Sequence, residues 1–128
     1  MSTRQRDKAA ARREARKARG PMARLRYLRI SPRKVRLVVD LIRGRRIEDA
    51  LNLLQYSDKA AAIPVAKLLR SAVANADETG NYDLDALVVE KAHVDEGPTW
   101  RRWRPRAQGR ATRIRKRTSH VTLELGVR

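Results

Sequence analysis

The amino-acid sequence predicts an α+β fold: three helices packed on a small antiparallel sheet, with a long basic β-hairpin extension. Three observations carry this expectation. Apolar residues recur at helical spacing from Val35 to Ala76, then switch to the two-residue period of a strand from Leu84 onward. Val121, Leu123 and Leu125 alternate with His120, Thr122 and Glu124, the pattern of a half-buried strand. Between those two strands, residues 97–120 carry nine Lys/Arg and no acid. The simplest topology joins the strands as an antiparallel pair whose connection is an extended ribbon.

The elements follow in order. Residues 2–19 are rich in Ala and Arg and are punctuated by Gly20-Pro21; they favour helix but have no apolar stripe to dock, so a solvated tail and a helix both remain open. An organellar transit peptide fits less well, because such peptides avoid acids and are usually Ser-rich. Residues 22–30 alternate apolar and basic and read as a short strand with Leu25 and Tyr27 on one side. Ser31-Pro32 starts a helix, Ser as an N-cap accepting a backbone N–H and Pro at the first helical position. Val35, Val38, Val39 and Ile42 form its apolar face, and Gly44 stops it. Ile47, Ala50, Leu51 and Leu54 repeat the spacing in a second helix. A third starts near Asp58, with Val65, Leu69, Ala72, Val73 and Ala76 inward; Pro64 is tolerable there only close to the helix start. Leu84, Ala86, Val88, Ala92 and Val94 then fall on one face of a strand, with Glu90 the exception.

The chain has 128 residues, 31 Lys+Arg against 14 Asp+Glu, and a net charge of +17. That length suits one domain with a modest core. Aromatics are 4% with no Phe, so Leu, Val, Ile and Ala must build it. The absence of Cys excludes disulfides, a thiolate nucleophile and a cysteine zinc site. No run of about 18 apolar residues would span a membrane, and no apolar segment follows the basic N-terminus to make a secretory signal. The expectation is an intracellular, cationic protein whose partner is a polyanion and not a membrane. The charge is uneven: residues 1–24 carry nine Lys/Arg against Asp7 and Glu14, whereas residues 25–96 carry twelve against eleven acids. A nearly neutral folding unit thus holds two cationic segments that a polyanion would order.

Catalytic readings find no support. His93 and His120 have no local metal-ligand spacing, and Ser119-His120 with Asp95 lacks the strand-turn-helix elbow of a hydrolytic nucleophile. The six glycines fit neither a dinucleotide fingerprint nor a phosphate-binding loop. No enzyme activity, metal or cofactor is expected. The basic segment is different. Trp100-Arg101-Arg102-Trp103-Arg104-Pro105-Arg106 mixes flat aromatic faces with guanidinium groups, which pair with phosphates and stack on bases, a combination suited to irregular RNA. Arg113, Arg115 and Arg117 fall on one side of a strand at about 6.6 Å spacing, near the repeat of backbone phosphates. DNA is the competitor, since two helices around Gly44 resemble a helix-turn-helix. Against it, the second helix leads with Glu48 and Asp49, which a major groove would repel.

Ile30-Ser31-Pro32-Arg33-Lys34-Val35-Arg36-Leu37-Val38-Val39-Asp40-Leu41-Ile42-Arg43-Gly44 resembles the signature helix of the bacterial large-subunit ribosomal protein twenty-two family. Residues 67–77, Val94-Asp95-Glu96-Gly97-Pro98, Pro105-Arg106-Ala107-Gln108-Gly109-Arg110-Ala111 and Arg117-Thr118-Ser119-His120 resemble it too, in the same order. The resemblance spans about 22–125. It implies one globular RNA-binding domain, 22–128, that includes the extended hairpin 95–120, preceded by a basic Ala/Arg-rich extension, 1–21, outside the family pattern. It also implies a structural role in the large subunit of the cytoplasmic ribosome and binding to several domains of large-subunit ribosomal RNA during assembly. The hairpin would line the nascent polypeptide's exit tunnel near its constriction, opposite large-subunit protein four and near where macrolides bind. By position, Trp100, Arg101, Arg102, Trp103, Arg104 and Pro105 would be the tip. Arg106, Arg110, Arg113, Arg115, Lys116, Arg117, Thr118, Ser119 and His120 would hold the returning arm on RNA, and Ser31, Arg33, Lys34 and Arg36 would add contacts from the globular side. Such a ribbon, with almost no core of its own, is expected to be mobile when free and ordered by RNA.

Overall fold

The computed structural model describes residues 3–17 and 20–128 of the chain; residues 1, 2, 18 and 19 of the extension lie outside the described residues. The fold is α+β, with four helices rather than three. The additional helix, α1 (Thr3–Lys17), lies within the N-terminal extension. Its Ala, Arg and Lys residues propagate a helix well, and no Gly or Pro interrupts them before Gly20-Pro21.

Strand β1 (Met22–Leu28) leads into α2 (Pro32–Ile42), α3 (Ile47–Gln55) and α4 (Ala62–Thr79). Helix α2 buries Pro32, Val35, Val38, Val39 and Ile42, as its spacing predicts. The expected Ser31 side-chain cap is absent. Instead its backbone carbonyl accepts the N–H groups of Lys34 and Val35, at 3.0 and 3.1 Å. Gly44 adopts φ +77°, and this turn is stitched to the sheet: Gly44 N–H donates to the Val89 carbonyl at 2.8 Å, and Val89 N–H donates to Arg45 at 2.9 Å. Helix α4 begins at Ala62, four residues later than Asp58, which places Pro64 in its first turn. There its missing N–H has no intrahelical acceptor to lose. Gly80, at φ +66°, ends the helix.

A single 3₁₀ turn (Leu84–Ala86) occupies the expected start of the next strand, so β2 is shorter, Leu87–Glu96. Its inward residues are Leu87, Val89, Ala92 and Val94. Leu84 is exposed and Ala86 and Val88 are only half-buried, which corrects the predicted face. The cause is a register shift between Val89 and Lys91 that leaves Glu90 as an extra, unpaired residue. One inserted residue reverses which parity faces the core.

The sheet has order β1-β5-β2, with β5 (Ser119–Val127) central and antiparallel to both neighbours. Val121, Leu123 and Leu125 are fully buried beneath α2 and α4. Strand β1 also departs from its predicted alternation. A shift between Leu25 and Leu28 places Tyr27 at φ +58° with its side chain in solvent instead of beside Leu25. The sheet ends where the hairpin begins, at the pairs Leu28↔Ser119 and Glu96↔Ser119.

Candidate nucleic-acid interface

Beyond that edge the chain forms a separate two-stranded ribbon, β3 (Trp100–Pro105) and β4 (Ala111–Lys116). A continuous ladder over 95–120 would give arms of roughly 40 Å at ~3.3 Å per residue. Here each ribbon strand has six residues. The ladder breaks between Glu96 and Trp100, where Pro98 has no N–H to donate. The gap is closed otherwise: Gly97 N–H donates to the Thr118 carbonyl at 2.9 Å, and Thr118 Oγ1 donates to the Pro98 carbonyl at 2.6 Å. A side chain on Gly97 would collide with Thr118 Oγ1 and the His120 ring, so this close crossing of the arms needs glycine.

The ribbon turns at residues 106–110. Arg106 N–H donates to the Arg110 carbonyl at 2.7 Å, with Gln108 and Gly109 at φ +60° and +67°. This corrects the expected tip. Trp100–Pro105 is the outgoing strand, because it pairs residue for residue with Ala111–Lys116 and leaves the reversal to the Gln108-Gly109 step.

Pairing fixes the ribbon's two faces. Arg101 lies opposite Arg115 and Trp103 opposite Arg113 on one; Trp100 lies opposite Lys116, Arg102 opposite Ile114 and Arg104 opposite Thr112 on the other. Every side chain from 98 to 117 is exposed except Ile114, which is half-buried. Arg101, Arg113, Arg115 and Arg117 line one shallow recess with Thr99 and Glu96, so the predicted row of three arginines exists and gains a fourth from the facing strand. Glu96, 3.7 Å from Arg117 Nε, is the only acid paired with a hairpin arginine among the described residues. Arg101 directly opposite Arg115 is a repulsive cross-strand pair. The tryptophans, three apart on a strand, face opposite ways and do not stack on each other. Arg113 lies over the Trp103 ring at 5.3 Å from its centroid, and Arg29 reaches the Trp100 ring at 6.0 Å.

The remaining predicted residues divide. Arg106 and Arg110 flank the turn, exposed, as are Arg33 and Lys34 in the first turn of α2; Ser31 is half-buried. Arg36 is partly committed to the fold, its Nη2 donating to the Val94 carbonyl at 3.1 Å. Thr118 and Ser119 do not join the exposed face. Both are buried, and Ser119 Oγ donates to the Ile30 carbonyl at 2.9 Å, so their hydroxyls fasten the hairpin base to the α2 entry loop. His120 is half-buried: its Nδ1 accepts the Tyr27 N–H at 2.9 Å, and its ring meets Tyr27 edge-on at 4.8 Å. Sequence reasoning missed Arg29, which the strand's basic alternation could have flagged. No group of three His, Asp or Glu among the described residues is placed to hold a metal, and no described helix is long and apolar enough to cross a membrane.

Replacing Ser119 by Ala should lower stability by about 1–3 kcal/mol, since the Ile30 carbonyl loses a buried donor. The RNA affinity of the folded protein should be unchanged at every salt concentration. A uniform loss of affinity without a shift in the urea midpoint would instead put the hydroxyl on RNA.

A family model for ribosomal protein L22p/L17e matches residues 23–126. The chain belongs to this family. The L22p/L17e match covers the sheet, the three packed helices and the whole hairpin, and leaves α1 outside. Proteins described as large ribosomal subunit protein uL22 are similar over most of the chain. That of Desulfitobacterium hafniense is 61% identical over 98 residues, 77% of this chain and 86% of its own length. The Syntrophotalea carbinolica protein is 56% identical over 103 residues, 80% and 94% respectively. That of Anaeromyxobacter sp. (strain K) is 54% identical over 120 residues, 93% and 82%. The L22p/L17e family is one of ribosomal proteins and not of enzymes.

Proposed function

We propose that the chain binds large-subunit ribosomal RNA through both faces of the hairpin and through Arg33 and Lys34, and that the hairpin lines the nascent-chain exit tunnel. Family membership makes it a structural constituent of the large subunit in the cytoplasmic ribosome. The observation that carries the RNA reading is the exposed ribbon itself. Six residues per strand pair in water with arginines on both faces, a like-charge pair directly opposed, and one half-buried apolar residue between them. Such a ribbon lacks the buried face that an isolated hairpin needs. Phosphates packed around it would supply both the counter-charge and the missing contacts. In this reading the turn at 106–110, not Trp100–Pro105, reaches furthest inward, to the narrow part of the tunnel beside protein four and the nascent polypeptide. Trp103 and Trp100 present rings on opposite faces, each already backed by an arginine and able to stack on a base.

Binding to large-subunit RNA fragments and to a length-matched DNA duplex, each across a salt series, tests this. Each phosphate contact adds roughly 0.7–0.9 to the log–log slope for either partner, so the affinity left at high salt decides. Retention on structured RNA alone is the expected result; equal decline of both would reduce the chain to a general polyanion binder. For the tunnel, a photoreactive group at Gln108 should cross-link to a stalled nascent chain, and more strongly than one at Arg101. The reverse order would overturn the placement of the turn.

A further inference from the structure

We propose that α1 is a second RNA-binding element, an arginine-rich helix that seats in the opened groove of an irregular RNA helix separate from the RNA around the hairpin. This rests on the reading of the chain as a ribosomal RNA binder and extends it to a segment outside the family match. All the described side chains of α1, residues 3–14, are exposed, and none enters the core. A helix of 15 residues whose described side chains bury nothing in the core gains little stability from the fold and is marginal in water by itself.

Its charges are sided. Asp7 and Glu14, seven apart, share one line of the helix. The far side is basic: Arg12 follows Gln5 seven residues on along one line, and Arg13 follows Arg6 along another. Ala9 lies between those two lines, and Arg4 and Lys8 extend the basic face beyond the first. A basic face this broad, opposite the two acids, can reach both phosphate walls of a groove that the helix enters. A regular A-form major groove is too narrow for this, so the partner is an RNA helix widened by a bulge or internal loop. The predominance of Arg favours bidentate phosphate pairing. A membrane surface is excluded because the helix has alanines where bulky apolar residues would have to insert.

The attachment point keeps this site away from the hairpin turn. Pro21 is buried and its carbonyl accepts the Leu125 N–H at 2.8 Å. A side chain on Gly20 would strike the Leu125 carbonyl. The extension is therefore pinned at the Met22↔Glu124 end of the sheet, whereas the hairpin leaves from the Leu28↔Ser119 end. From Leu125 back to Ala111 the chain follows roughly 45 Å of strand path at ~3.3 Å per residue. Helix α1 is about 22 Å long at ~1.5 Å per residue, and even a fully extended tether adds only about 10 Å. Folded back, α1 would reach the hairpin base near Arg117 but fall short of the turn. RNA held by the rest of the ribbon is therefore separate from RNA held by α1.

Hydroxyl-radical footprinting of large-subunit RNA with the full chain tests this. The wild-type protein should protect two separate sets of positions. The variant R4Q/K8Q/R12Q should lose one set and lower the salt slope by about 2–3, while R113Q/R115Q loses the other. The variant A9G/A10G keeps every charge but disfavours helix, and should weaken protection of the first set about tenfold or more. An unchanged footprint and slope for R4Q/K8Q/R12Q would overturn the proposal, as would impaired subunit incorporation with RNA protection intact, which would assign α1 to a protein partner. No effect of A9G/A10G would overturn the helical seat. A wild-type protein that protects nothing would instead remove the RNA reading itself.

Discussion

Replacing Arg101, Arg113 and Arg115 together by Gln is expected to weaken ribosomal RNA binding about 100- to 1,000-fold at 0.1 M salt. These three side chains share one face of the ribbon and one recess, and none has an acidic partner among the described residues. If each neutralises one phosphate, each contributes 0.7–0.9 to the log–log slope, and hence nearly a decade of affinity between 1 M and 0.1 M salt. The slope should fall by about 2–3, and the variant and wild-type curves should converge near 1 M. Stability of the free protein should change little, because relief of the repulsion between Arg101 and Arg115 offsets loss of the Arg113 contact with the Trp103 ring. That combination separates an electrostatic interface from a structural role. A variant that unfolds more readily while keeping its slope would mean that these arginines serve the ribbon and not a polyanion. Measuring both the urea midpoint and the salt series on the same preparation distinguishes the two.

How much of this was legible in the sequence depends on how local each cause is. The apolar faces of α2 and α3 follow from spacing alone, since Val35, Val38, Val39 and Ile42 can share a side only in a helix. The start of α4 was misplaced by four residues, yet Pro64 already marked the first turn as its only tolerable position. Where the reading failed, a partner distant in sequence decided the outcome. Glu90 looked like a polar intruder on an otherwise apolar face. It is the bulged residue of β2, and only its pairing with β5 shows that the faces exchange there. Tyr27 was turned outward in the same way by a shift against β5.

The candidate site divides along the same line. The row Arg113, Arg115 and Arg117 was readable because strand alternation is a local property. Thr118 and Ser119 sit beside it in sequence and match the same family stretch, but their hydroxyls are taken by Pro98 and Ile30. A hydroxyl that closes a break in a ladder and one that touches a phosphate look alike in sequence. The difference lies in residues 20 and 89 positions away. The tip was misplaced for a related reason: position within the family resemblance put it at Trp100–Pro105, whereas the reversal depends on the positive φ angles of Gln108 and Gly109.

Leu123→Ala is expected to be the most damaging single truncation of the fold, at about 3–5 kcal/mol. Leu123 lies on the central strand and is fully buried. Its cross-strand neighbours are Ala23 on β1 and Ala92 on β2, so one large side chain fills the space that two small ones leave. After truncation the row would read Ala-Ala-Ala, with no side chain in it long enough to collapse into the void beneath α2 and α4. Lost transfer energy and an unrelaxed cavity then add. For a domain of this size, between the small and large ranges, 1 kcal/mol shifts Tm by roughly 3–6 °C, so a fall of roughly 10–30 °C should be seen in a thermal melt. Leu37→Ala removes the same atoms from a side chain that is 59% exposed, and should stay within about 0.5 kcal/mol of wild type. Because the hairpin's arginines lie outside the sheet, the Leu123→Ala protein that remains folded should keep the wild-type salt slope on RNA. A loss below about 1 kcal/mol would show that the helices close onto the sheet over the missing side chain. A changed slope would show that the packing of β5 sets the aim of the ribbon it carries.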